Sequence, residues 1–248
     1  MYVRRMFASS VTLAKRLLKP KSYLFIFKLV SLLIKLRGLR ASNNSRRSVS
    51  DIESRVKLEE LLQRYGSDKA TMHDYWKLYE RFFATSQDGV GILLEVGMGS
   101  NNPSIPSNMG GHFIPGGSLR AWQAYFSNFE ILGADIDKEI LFAEGRIKTF
   151  WIDQTKRETF YDLQKYLESK ALDFLIIDGL HQPFADLNTL VAFLPYLKKD
   201  GHIFVEDIEP SQSIKLIWVL VRLLLPEGYK GTLLRQKGGL VFDLRRLP

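Results

Sequence analysis

Five short apolar runs, residues 91–96, 129–134, 147–152, 174–177 and 202–205, each stop abruptly at polar residues, and the stretches between them carry apolar positions at helical spacing. Continuous rather than alternating hydrophobicity marks strands covered on both faces, so the pattern predicts a parallel sheet with helices on either side. Helices are expected at 51–63, with Ser50 or Asp51 as N-cap and Ile52, Val56, Leu58, Leu61 and Leu62 on the apolar face, from Ser118 onward, at 156–169 and at 184–197. The helix at 184–197 links two of the runs as a right-handed βαβ unit, which makes 174–177 and 202–205 parallel neighbours. Beyond them an apolar helix at 212–225 precedes a terminal antiparallel hairpin, 231–236 with 239–244. The expected fold class is α/β, a mostly parallel seven-stranded sheet closed by that C-terminal hairpin.

Chemistry gathers where these strands end. The run 174–177 gives way to Asp178, Gly179, Leu180 and His181, and the run 202–205 to Glu206 and Asp207. Neighbouring strands lie about 4.8 Å apart, so three carboxylates and one imidazole meet at a single edge of the sheet. Open α/β sheets bind their ligands at that edge, which makes this quartet the candidate reaction centre.

The first run ends in Glu95 and passes into Gly97-Met98-Gly99. A glycine pair after a parallel strand lets the backbone approach a ligand closely. The pattern Glu-x-Gly-x-Gly suits a Rossmann-like class I methyltransferase better than a dinucleotide fold, because Asn101 stands where the third dinucleotide glycine is expected. Residues 101–117 hold three prolines and four glycines. The segment exceeds the roughly 2 to 6 residues usual for a βα loop, so it reads as a functional loop. Gly116-Gly117-Ser118 then offers free N–H groups at a helix start, suited to a carboxylate such as that of a methionine moiety. At the end of the second run Asp135, and after it Asp137, is placed to accept ribose hydroxyls. Asp153 and Gln154 at the end of the third are placed for the adenine amino group. The alternative for each of these acids is a helix N-cap. Between the first helix and the first strand, Tyr65-Gly66-Ser67-Asp68-Lys69 with His73, Tyr75 and Tyr79 is either a solvated connection or a lid whose Asp68, Lys69, His73 and Tyr75 reach over the site.

Composition narrows the partners. A 248-residue chain that is 46% hydrophobic can bury a full core, and without cysteine any metal must be held by oxygen or imidazole, which favours magnesium. The formal charge of +8 belongs to one end: residues 1–50 carry 12 Lys and Arg and no acid, leaving 23 basic against 27 acidic residues in the rest. The folded body therefore has no basic bias, and nucleic acid is not an expected partner. Two regions follow, a basic amphipathic helical extension with linker at 1–50 and a catalytic domain at 51–248.

Within the extension, 23–36 is almost continuously apolar, but Lys21, Lys28 and Lys35 recur every seven residues and form one stripe on a helix. A spanning helix needs about 20 apolar residues with few charges. Residues 20–40 therefore read as an interfacial helix on an anionic membrane surface, or as a helix packing on the body or on a second copy in a homo-oligomer. The expected location is cytoplasmic, peripheral at the inner face of the membrane.

The motifs in order complete the picture: the 65–69 stretch with His73 and Tyr75, Leu94-Glu95-Val96-Gly97, Ser118-Leu119-Arg120-Ala121-Trp122, Gly133-Ala134-Asp135-Ile136, Asp153-Gln154, Ile177-Asp178-Gly179-Leu180-His181 and Glu206-Asp207-Ile208. Together they resemble the metal-dependent class I sugar O-methyltransferases of the mycinamicin and rhamnosyl-tetracenomycin type over about residues 51–210. The resemblance implies S-adenosylmethionine as donor, magnesium as metal and a saccharide-containing acceptor. By position it implies Asp178, Glu206 and Asp207 as metal ligands, His181 as general base, and Lys69, Glu95, Gly97, Gly99, Ser118, Asp135, Asp153 and Gln154 on the cofactor side. Two rival functions are an NAD-dependent nucleotide-sugar oxidoreductase and a non-catalytic membrane-tethered binding module.

Overall fold

A computed structural model of the chain describes residues 57–208, 228–237 and 239–248. The extension at 1–50 with its stretch 20–40, the first part of the helix expected at 51–63 and the helix expected at 212–225 lie outside the described residues.

Parallel strands β1 (Val90–Val96), β2 (Asn128–Asp135), β4 (Ile147–Trp151), β5 (Leu172–Ile177) and β6 (Leu197–Val205) form the body of the sheet. The hairpin of β7 (Tyr229–Gln236) and β8 (Gly239–Arg246) adds on antiparallel through β8, giving the order β3-β4-β2-β1-β5-β6-β8-β7. The sheet has eight strands among the described residues, one more than expected, because β3 (Ala143–Glu144) adds a two-residue antiparallel edge outside β4. Gly145, at φ +58°, turns the chain directly from β3 into β4.

The helices split between the two faces. On one face α1 (Leu58–Arg64), α2 (Tyr75–Phe83) and α3 (Gly117–Tyr125) pack through Leu58, Leu61 and Leu62, through Tyr75, Leu78, Tyr79 and Phe83, and through Leu119 and Trp122. These spacings of three and four residues give each helix one apolar stripe. On the other face α4 (Tyr161–Tyr166) and α5 (Pro183–Phe193) contribute Leu163, Leu190 and Phe193. Strand residues alternate between the two cores: Leu94, Val96, Leu175 and Ile177 point to one, Leu93, Phe174, Ile176 and Phe204 to the other.

Several boundaries differ from the expected ones for local reasons. The helix expected at 156–169 is a 3₁₀ turn, Arg157–Phe160, followed by the short α4. The helix expected at 184–197 ends as α-helix at Phe193 and finishes as a 3₁₀ turn, Leu194–Tyr196, around Pro195, which has no N–H to continue the ladder. β6 starts at Leu197, five residues early, because buried Leu197 pairs with Leu172; a register shift between Leu172 and Phe174 absorbs the charged residues Lys198, Lys199 and Asp200.

β1 lies between β2 and β5, so the chain leaves β1 in one direction and returns on its other side. Loops on either side of such a switch point diverge and leave a crevice at the carboxyl ends of the strands.

Candidate active site

The ladder continues past the last strand residues and fixes the site. The Asp178 N–H donates to the Val96 carbonyl at 2.8 Å and the Glu206 N–H to that of Ile177 at 2.9 Å. Ile177 pairs with Val205, so Asp178 and Glu206 leave neighbouring strands at the same level. By the two-residue period they point to the face covered by α1, α2 and α3, as does Glu95 on β1.

The turn after each strand is unusual. Four non-glycine residues have positive φ among the described residues, Ser107, His181, Asp200 and Asp207, and three of them line the crevice. His181 at +52° and Asp207 at +51° adopt a conformation that Asp and His tolerate better than most residues but that still costs about 1–3 kcal/mol. The reward is geometric: His181 Nε2 stands 3.8 Å from Asp178 Oδ1 and 3.8 Å from Asp207 Oδ2. Asp178, His181 and Asp207 each present a ligand atom within 4.8 Å of the others; the two carboxylates fit a hard divalent cation, and the imidazole stands beside them. His181 Nδ1 is buried with no hydrogen-bond partner.

Glu206 is placed differently from the other two acids. Its Oε2 accepts from Lys69 Nζ at 2.7 Å and its Oε1 from the Tyr79 hydroxyl, so both oxygens are engaged by the protein. Burial and then the Asp178 charge push the Glu206 carboxyl well up, against the pull of Lys69. Asp207 Oδ1 accepts from the Tyr75 hydroxyl. Burial keeps both phenols above their ordinary range, so they serve as donors.

Lys69 joins this group to the cofactor side: it lines the cavity and its ammonium lies among the acids. Its side chain is 2% exposed, and its Nζ contacts Asp178 Oδ2, Glu206 Oε2 and, at 3.4 Å, Glu95 Oε1. Burial alone would lower the ammonium's pKa; the Asp178, Glu206 and Glu95 charges outweigh it and hold the pKa well above its usual value. Glu95 is tied further by the Trp122 indole N–H at 2.8 Å and by Ser118.

From here a cavity of about 490 Å³ runs past Gly97, Gly99 and Ser118 to Asp135, Asp153 and Gln154. At φ +93° Gly97 lies against the Asp178 backbone carbonyl, where a Cβ would collide, and at φ +78° Gly99 holds a conformation that disfavours a side chain, with the movable Met109 side chain as its neighbour. Asp135 lines the cavity, its oxygens fixed by the Met98 N–H at 2.7 Å and the Asp137 N–H at 2.9 Å, and burial raises its pKa. Asp137 instead caps a 3₁₀ turn through the Glu139 N–H. Asp153 and Gln154 also line the cavity, but their polar groups are largely engaged. Asp153 binds Thr155 and Lys156, and Gln154 accepts from the Leu180 N–H at 2.8 Å and donates to Thr189. Gln154 thereby braces the turn that carries His181. A glycine-lined cradle ending in a buried carboxylate fits a nucleoside-bearing cofactor such as S-adenosylmethionine.

The loop after β1 closes one side of this cavity with Ile105, Pro106, Met109 and Ile114. It is held to the body by the Met109 N–H on the Ser100 carbonyl at 3.0 Å, the Ile114 N–H on that of Gly66 at 3.1 Å and the Gly116 N–H on that of Met98 at 2.9 Å. Ser107 Oγ donates to the Leu180 carbonyl at 3.2 Å.

Known proteins place these features in context. A family model described as a methyltransferase domain matches residues 119–208. The 8-demethyl-8-alpha-L-rhamnosyl tetracenomycin-C 2'-O-methyltransferase of Streptomyces olivaceus is 30% identical over 151 residues, 61% of this chain and 37% of that protein. The mycinamicin VI 2''-O-methyltransferase of Micromonospora griseorubida is 30% identical over 157 residues, 61% of this chain and 36% of that protein. The chain thus spans little more than a third of the length of these curated relatives. A solved structure of the mycinamycin-pathway methyltransferase MycE in complex with Mg and SAH superposes with a TM-score of 0.62 at 24% identity, covering 78% of this chain and 56% of that one. No helix among the described residues is long and apolar enough to cross a membrane. The chain has the class I methyltransferase fold, matches a methyltransferase-domain model over residues 119–208 and is similar to the sugar O-methyltransferases over part of its length.

Proposed function

We propose that the protein is an S-adenosylmethionine- and magnesium-dependent O-methyltransferase acting on a hydroxyl of a sugar in a glycan, glycolipid or glycosylated metabolite. The observation that carries this reading is the placement of His181 Nε2 at 3.8 Å from each of two carboxylate oxygens, at the mouth of a glycine-lined cavity. Similarity to enzymes named for 2'- and 2''-O-methylation of sugars supports the acceptor class.

In this reading Asp178 and Asp207 hold the cation with His181 beside them, and Glu206 stands behind them as the third acid of the set. When bound, the cation supplies Lewis-acid polarisation to an acceptor hydroxyl and the sulfonium donor supplies an activated methyl group. His181 takes the hydroxyl proton at Nε2. The donor cradle is Gly97, Gly99, Ser118 and Asp135, with Glu95 and Lys69 at its metal end and Asp153 and Gln154 at its far wall. The loop at 101–116 bounds the space in which the acceptor meets the donor. The basic extension, with its lysine stripe at residues 21, 28 and 35, is assigned to peripheral contact with an anionic membrane at its inner face, or to a second copy of the chain.

The experiment is incubation with labelled S-adenosylmethionine and a library of glycans and glycosylated extracts, with magnesium and then with chelator. Label is expected in a saccharide product with magnesium only. Transfer that is indifferent to chelator, or binding of NAD in preference to S-adenosylmethionine by calorimetry, would overturn the proposal.

A further inference from the structure

Lys69 is the most deeply buried cation near the site, and the sheet alone does not supply it. It comes from the 3₁₀ turn Asp68–Ala70 between α1 and α2, where the Ser67 hydroxyl accepts from its backbone N–H at 3.4 Å. A lysine ordinarily extends its ammonium to water, and one that is 2% exposed is rare unless its charge is fully answered. Here three carboxylates from three strand ends answer it: Glu95 of β1, Asp178 after β5 and Glu206 after β6. Without a cation among them, these acids would repel one another in a medium that screens poorly.

We propose that Lys69 is an internal counter-ion and positioning residue that ties the ends of β1, β5 and β6 together and sets Asp178 and Glu206 in place before any divalent ion binds. The inference rests on the reading of the site as a divalent-cation centre. The contacts support it: acids from three different strand ends, Glu95, Asp178 and Glu206, converge on one ammonium group. The contact also sets direction, since Lys69 takes Oδ2 of Asp178 and leaves Oδ1 facing His181 Nε2.

The test is thermal melting of the full chain in chelator and in saturating Mg2+, for the wild type, Lys69→Met and the double variant Lys69→Met with Glu206→Gln. Lys69→Met in chelator is expected to melt lower by roughly 10 °C, the scale for an uncompensated buried charge in a domain of this size. Mg2+ is expected to raise its melting temperature more than it raises that of the wild type, because the ion then supplies the missing positive charge. Turnover with Mg2+ is expected to stay depressed, since Asp178 loses its orientation. The double variant, with charge and counter-charge both removed, is expected to recover most of the chelator melting temperature. A merely space-filling role for Lys69 predicts equal losses with and without Mg2+, and that result would overturn the inference. So would a double variant no more stable than the single one, or one that does not fold. The melts need no acceptor, so failure of methyl transfer leaves them readable. Absence of any Mg2+ response in the wild type would instead refute the metal reading, while the chelator comparison would still test the counter-ion.

Discussion

His181 owes its position to backbone conformation more than to side-chain contacts: it is left-handed, its Nδ1 has no partner, and its Nε2 faces two carboxylates without touching either. His181→Ala is therefore expected to leave the fold and the cofactor affinity measured by calorimetry intact, while turnover falls by about 10²- to 10⁴-fold, the usual span for a general base. Methyl transfer at the wild-type rate would remove His181 from that role. A second residue follows from the same charges. Asp186 on α5 is buried, and burial, followed by the charges of Asp178 and Asp207, raises its pKa to about 8. A carboxyl raised above its unfolded value near 3.9 leaves stability untouched below about pH 4. It destabilises progressively as pH climbs toward 8, because only the unfolded chain releases the proton readily. Asp186→Asn is thus expected to flatten the decline in melting temperature between pH 5 and 8 in chelator; an unchanged slope would show that Asp186 titrates normally. The sequence made Asp178, His181, Glu206 and Asp207 visible because each ends or follows an apolar run. It hid the partners of Glu206, since Lys69 and Tyr79 lie 137 and 127 residues away and only the folded sheet brings them near.

At the scale of elements, strand cores were legible because continuous apolar runs have few other uses. Their ends were less so: β6 begins five residues before its apolar run, where charged residues at 198–200 mask one buried leucine. The segment at 65–79 was legible only as two alternatives. Its residues do reach the site: Asp68 and Lys69 line the cavity, and Lys69, Tyr75 and Tyr79 meet the carboxylates from the α1, α2 and α3 face. The loop at 101–116 was legible as an insertion, but its attachment to Gly66, Met98 and Leu180 was not, because backbone hydrogen bonds leave no signature in side-chain type. The glycine turn after β1 gives the clearest prediction here. A methyl group on Gly97 meets the Asp178 backbone, and φ +93° disfavours any side chain, so the two turns at the switch point must separate. Gly97→Ala is expected to weaken S-adenosylmethionine binding at least about tenfold and to lower the melting temperature. Calorimetry showing unaltered affinity would mean that the turns can part without harm to the cradle.

For the whole molecule, the α/β fold with its switch point and antiparallel closing strands matches the expectation from periodicity and motif order, and the solved methyltransferase of similar fold agrees with it. The asymmetry of charge is also a property of the whole chain, and its consequence is measurable. Removing residues 1–40 takes away ten Lys and Arg without one acid. If the extension works at a membrane surface, the shortened chain is expected to lose co-sedimentation with anionic vesicles, most clearly at low salt, and to keep methyl transfer to a soluble saccharide. Equal partitioning of the two chains would count against the membrane reading and leave the body or a second copy of the chain as the extension's partner.

The long reach of Lys69 and Tyr79 bears on how the protein is made as well as on what it does. β1 cannot gain its second neighbour until β5 exists, and the acids at 206 and 207 join last, so the centre closes through contacts far apart in sequence, the kind that form slowly. A chain emerging from synthesis carries Lys69 and Tyr79 for 137 and 127 residues before Glu206 appears. The reaction centre therefore cannot close before residues 206 and 207 have been made, while β8, the outer neighbour of β6, is still to come.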